Sequence, residues 1–325
     1  MSSISTAPRL STGLDLRGAL ARAWAANWPL TLVGLAMVPT LLIALIGLAI
    51  DPRLITGAPA WMKPAKFAIS IAIYSFTFIW MLGFVRGPRL RRMAGVAASL
   101  TAVAFMVEMV VIVLQVVRGT TSHFNVSTPL NAALFSTMGI FIMLLWVMGL
   151  LLAVALVAQR MADRPMALAL RSGIVITLVG AGLGFLMTTT TAAQQASVAA
   201  GGAMTVSGAH AVGAPDDAPG LPIVGWSTQG GDIRVSHFVG LHAMQVLPFI
   251  GWLVGRRRRL GVGRQTALVG VAGAGYLGLV LLLAWQALRA QPLLAPDALT
   301  LGVGAALVVA VAAGAAAAMA GGRRA

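Results

Sequence analysis

The chain alternates between long apolar runs and short polar stretches. A helix needs about 20 predominantly apolar residues to cross roughly 30 Å of hydrocarbon. Eight runs reach that length: 28–50, 67–85, 93–117, 132–158, 172–192, 235–254, 266–288 and 299–320. The expected fold class is all-α, a polytopic membrane helix bundle with eight transmembrane helices. The expected organisation is a polar N-terminal segment (1–27), an eight-span domain (28–320) and a short tail (321–325). Residues 193–234 form the one long connection, rich in Ala and Gly. A loop of that length is either functional or disordered. Its composition points to disorder, although Gly220–Trp226 is apolar enough to dip back to the membrane surface.

Proline and small residues punctuate the runs. Pro64 is placed to open the second span, where its missing N–H costs nothing. Thr128-Pro129 reads as an N-cap followed by proline at the head of the fourth. Pro248 is expected to kink the sixth. Gly180 and Gly184, and again Gly270, Ala274 and Gly278, put small residues four apart, a spacing that lets helices approach closely. The eighth run, mostly Ala, Val and Gly, has the character of scaffold. Inverted repeats and broken helices, which mark many secondary transporters, are not evident in the sequence.

The basic residues set an orientation. With the N-terminus inside, the inner segments hold Arg9, Arg17, Arg22, Arg86, Arg89, Arg91, Arg92, Arg160, Arg164, Arg171, Arg256 to Arg259, Arg264, Arg323 and Arg324, which is 17 of the 23. The outer side has six: Arg53, Lys63, Lys66, Arg118, Arg234 and Arg289. This is the positive-inside pattern, so both termini are expected in the cytoplasm and the protein in the cytoplasmic (inner) membrane. The first run is too long for a signal-peptide core, and its small-residue motif at Ala23–Ala25 precedes it, so it reads as an uncleaved span.

Composition agrees with a lipid environment. Of 325 residues, 59% are hydrophobic and 10% charged, against about a quarter charged in soluble domains. A net charge of +15 would suggest nucleic acid in a soluble chain. Here the arginines lie in short loops between apolar runs, so the partner is the lipid bilayer and no nucleic acid is expected. The absence of cysteine excludes disulfides, thiolate metal sites and cysteine nucleophiles.

Three spans carry polar residues in their outer halves. At about 100° per residue, Lys63, Lys66, Ser70, Tyr74 and Thr77 share one face of the second. In the third, Thr101, Glu108 and Gln115 recur every seven residues. Glu108, about 13 Å below the outer end by helical rise, is the one acid inside any span, and an ionisable group at that depth is a functional hypothesis by default. In the sixth, Arg234, His237, His242 and Gln245 fit one arc of about 140°. Arg118, His123 and Asn125 lie at the mouth of the same expected hollow. His210 with Asp216 and Asp217 reads as a solvated loop rather than a metal site.

These constellations point to an outward-facing pocket that binds or transports a small anionic, zwitterionic or lipid-derived ligand. Glu108 and His242 are the expected catalytic groups, exchanging protons. Lys63, Lys66, Tyr74, Gln115, Arg118, Asn125, Arg234 and Gln245 are the expected ligand-binding groups. The alternative is an intramembrane enzyme with zinc or iron held by His123, His237, His242 and Glu108, an N/O set suited to either metal. A haem protein needs two axial histidines on facing helices, with His242, or His237 and His123, as candidates. A scaffold whose polar groups only pin helices accounts less well for their clustering at one end.

Overall fold

The computed structural model describes residues 15–257 and 259–320. The rest of the expected N-terminal segment, the tail 321–325, and Arg9, Arg258, Arg323 and Arg324 lie outside the described residues. Among the described residues the chain is all-helical in class, 71% helix in 11 helices, with four strands of two residues each. Seven helices are long and apolar enough to cross a membrane, and a bent pair passes the same test together. Helices of that number and length suggest a multi-pass membrane protein.

The first helix, α1 (Leu16–Ala26), falls within the segment read simply as polar; Asp15 caps it by accepting the Gly18 N–H. Asn27 then caps α2 (Trp28–Ile50), accepting the Leu30 N–H. The same side chain donates to Gly95 O at 3.1 Å and Ser99 Oγ at 3.0 Å on α4 (Pro88–Val117), so one residue starts a span and ties it to another. A hairpin, β1 (Leu54–Ile55) and β2 (Ala58–Pro59), turns through Thr56 and Gly57, both at positive φ. It leads into α3 (Met62–Leu82), with Pro64 in its first turn. Thr128 caps α5 (Pro129–Val157) through the Asn131 N–H, with proline following as the sequence pattern requires.

After α6 (Arg164–Leu186) the expected outer disorder is replaced by a folded cap. Thr191 and Gln194 form a capping box that starts α7 (Ala192–Ala199). The cap then pairs with its surroundings through backbone. Val126 N–H donates to Thr205 O, Ser207 N–H to Phe124 O and Ala209 N–H to Met187 O. Strands β3 (Ala211–Val212) and β4 (Gly231–Asp232) close it. A Gly- and Ala-rich segment can order here because its backbone groups find partners on the helix ends beneath it.

The sixth run is not one kinked helix. It forms α8 (Ile233–Leu241) and α9 (Ala243–Gly255), meeting at 45°. The break falls at His242, six residues before Pro248 where the kink was expected. Gly180 of α6 and Gly240 touch, since a Cβ on either would lie 2.5 Å from the other's Cα. That approach delivers Thr177 into the break. Its hydroxyl donates to Leu241 O at 3.2 Å and accepts the Met244 N–H at 3.1 Å, replacing ladder bonds that the helix gives up. A broken helix is therefore present, contrary to the sequence reading.

The main core lies at the end of the bundle away from the cap, where Leu30, Met37, Phe78, Met81, Leu152, Leu156, Leu170 and Ile174 are buried together. A smaller cluster of Ile176, Ala243, Leu247 and Val280 joins α6, α9 and α10 (Val262–Leu288). Finally α11 (Ala298–Ala320) leans on α10, where a Cβ on Gly275 or Gly278 would strike Val311 or Leu307 at 2.6 Å.

Candidate functional site

Polar side chains collect between this core and the cap. Lys63, in the first turn of α3, points toward the 118–131 loop, where its Nζ lies 2.8 Å from His123 Nδ1. An ammonium only donates, so Nδ1 accepts and the ring proton belongs on Nε2. Ser122 Oγ is 3.2 Å from the same nitrogen. The rings of Phe67, Phe124 and Phe135 surround the imidazole with centroids 6.1 to 6.5 Å away. Burial holds His123 well below the usual histidine range, and the charges of Lys63, His210 and His237 add to that.

Glu108 lies deeper on α4, 1% exposed, and neither carboxyl oxygen has a hydrogen-bond partner. Lys63 is the charge whose field reaches it. The lysine thus touches an imidazole that burial keeps neutral. Ser75 Oγ, Thr101 Oγ1 and Gln245 Oε1 are also buried without partners. A buried polar group left without any partner costs about 1–3 kcal/mol.

The α3 stripe does not face a single partner. Lys63 turns to His123. Lys66 donates to Val224 O of the cap at 3.1 Å. The Tyr74 ring packs edge-on against Phe105 of α4 at 5.2 Å. Its hydroxyl lies 3.6 Å from where a Cβ on Gly149 of α5 would be. Thr77 Oγ1 accepts from Gln245 Nε2 of α9 at 3.1 Å, bridging the two helices.

The cap closes over the cations. Asp232, 2% exposed, accepts from the Ser227 N–H and from both the backbone and the guanidinium of Arg234. Arg234 Nη2 also donates to Gly225 O at 2.6 Å. Consecutive carbonyls of one turn therefore occupy Lys66 and Arg234. That turn contains Ile223, a β-branched residue at φ +68° and 75% exposed, a conformation that costs about 1–2 kcal/mol. Beside it, Asp216 accepts the His210 and Ala211 N–H groups, and its Oδ2 lies 2.8 Å from His210 Nδ1. Burial raises the Asp216 pKa, but the bonds and charge of His210 outweigh it and hold the carboxyl at about 2. Burial lowers His210 in spite of its carboxylate. The pair expected to be solvated is thus a structural clasp.

Other expected ligand groups are engaged in holding the loop. Gln115, fully buried, donates to Asn131 Oδ1 and Thr121 O, and its own oxygen accepts from Arg118. Arg118 also donates to Asn131 Oδ1 at 2.9 Å. Asn125 donates to Thr120 Oγ1 and accepts from the Ser127 N–H and hydroxyl. These residues shape the rim on which His123 sits.

The tentative metal set does not assemble. Among the described residues no three His, Asp or Glu side chains converge as metal ligands. His242 stands exposed at the helix break and makes no hydrogen bond or ion pair with Glu108. His237 commits Nδ1 to Gly180 O at 2.8 Å, so that nitrogen carries the proton, and the ring rests against Gly184. The zinc or iron reading through His123, His237, His242 and Glu108 therefore finds no ready-made ligand cluster among the described residues. For haem, the bond from Nδ1 to Gly180 O leaves Nε2 of His237 free of a proton, whereas the Lys63 bond puts the ring proton of His123 on Nε2. Thr177 and Asp232, which the sequence reading passed over, are structurally central. A buried threonine in mid-span and an acid two residues before an arginine are the signals that mark them.

No family model, characterised protein or solved structure matches the chain.

Proposed function

We propose that this is a cytoplasmic-membrane protein of eight spans, counting α8–α9 as one, with both termini in the cytoplasm. It binds and transports a small anionic or zwitterionic solute, or the head of a lipid-derived ligand, through the polar region beneath its outer cap. The observation that carries the reading is Glu108, a carboxyl buried in mid-span without a hydrogen-bond partner, in a helix bundle whose outer end also holds the Lys63–His123 pair. A carboxyl so placed exchanges its proton when a ligand changes the charge beside it. His242 is exposed at the α8–α9 break and is not part of the Glu108 cluster. The carbonyls of Val224 and Gly225 hold the places on Lys66 and Arg234 that ligand oxygens would take.

The test uses the purified chain reconstituted in vesicles of phosphatidylethanolamine and phosphatidylglycerol with a pH-sensitive dye inside. Inorganic phosphate, succinate and glycine are added outside in turn. At least one is expected to drive proton movement in the native chain, and Glu108→Gln to abolish it. If all three leave the native chain silent, or Glu108→Gln matches it, the reading fails.

A further inference from the structure

On the flank of the bundle, α5 and α6 leave a groove between them lined by Trp146, Leu150, Val157, Val175, Leu178 and Gly182. It encloses about 600 Å³ and is apolar almost throughout, a size typical of ligand sites. Trp146 closes one end, its indole N–H donating to Leu178 O at 3.0 Å and strapping the helices together. From Trp146 to Val157 the helix rises about 16 Å, close to one leaflet, half of roughly 30 Å. A transmembrane helix would need twice that length, whereas an acyl chain in one leaflet matches it.

Both faces run on into arginine at the open end. Arg171 lies one turn before Val175 on α6 and donates to Leu156 O and Gln159 O, which holds it over the end of α5. Arg160, three residues past the end of α5 at Val157, is exposed in the same inter-helix connection. Among the described residues no carboxylate forms an ion pair with either. We propose that this groove seats one acyl chain of an anionic glycerophospholipid, its phosphate held by Arg160 and Arg171. The site is separate from the outer polar region and stands or falls independently of it.

The full chain in mild detergent, titrated with phosphatidylglycerol or phosphatidylcholine of identical acyl chains, is read by native mass spectrometry and thermal unfolding. One phosphatidylglycerol is expected to be retained, with about fivefold preference per arginine over phosphatidylcholine. Arg160→Gln reduces that preference. Gly182→Leu fills the groove, and the fold tolerates it, because a Cβ there meets nothing nearer than Trp146 Nε1 at 3.9 Å. It is expected to lower retention of both lipids without lowering the melting temperature of the lipid-free protein. Equal retention of the two lipids by the native chain, or undiminished retention by Gly182→Leu, overturns the proposal. So does equal stabilisation by glycerol 3-phosphate, which has no acyl chain.

Discussion

Glu108 and His123 differ in how they tolerate burial, and each difference can be measured. A protonated carboxyl in an apolar setting reacts with dicyclohexylcarbodiimide, so the native chain is expected to be labelled at Glu108 and Glu108→Gln not. That variant exchanges one unpartnered group for another, and its stability is expected to stay within about 1 kcal/mol of native. His123 and His210 are both held below their ordinary range by burial. Neutral in the fold and protonated when unfolded, they contribute stability that is complete above about pH 6.5. It is lost as pH falls from there through their folded values. Melting temperature is therefore expected to drop between pH 7.5 and 5. His123→Gln, which keeps an acceptor for Lys63, should flatten the fall; an unchanged slope would mean that His123 is already charged in the fold. Glu108 was legible in the sequence because a lone acid inside an apolar run stands out. Its relation to Lys63 and His123 was not, because the 118–131 loop sets it through Gln115, Asn125 and Asn131, whose hydrogen bonds no helical wheel displays.

At the level of elements, seven membrane-length helices were legible from apolar length alone, and the N-terminal cap at Thr128 from local chemistry; the cap at Asn27 is a finding of the structure. Two features were not legible. The break at His242 depends on Thr177, 64 residues away in the chain from Leu241, and Pro248 drew the expectation to the wrong turn. The cap's order depends on pairing between distant backbone strands, which composition does not report. Thr177→Val keeps the shape of the side chain and removes both bonds. Leaving the Met244 N–H and Leu241 carbonyl unpaired in an apolar setting is expected to cost about 1–3 kcal/mol, visible as a lower melting temperature in detergent. If the melting temperature holds, the break is maintained by the Gly180–Gly240 contact alone.

For the whole molecule, orientation can be read directly because the chain has no cysteine. A cysteine placed at the exposed Ser127 is expected to react with an impermeant maleimide in intact cells, and one at the exposed Ala162 only after lysis. The reverse result would invert the topology. Ile223→Gly relieves the positive φ in the turn that covers Lys66 and Arg234. It is expected to hold the cap down more firmly, slowing amide exchange over 220–227; faster exchange would mean that the side chain anchors the turn. The close packing of Phe78, Met81, Leu152, Leu156 and Leu170 beneath the polar region has an electrical consequence. An ion reaching the polar region from the cap side would meet an insulating floor, so a voltage across a planar bilayer containing this protein should draw no steady current. On the proposed transport reading, each turnover would have to part those side chains and close them again.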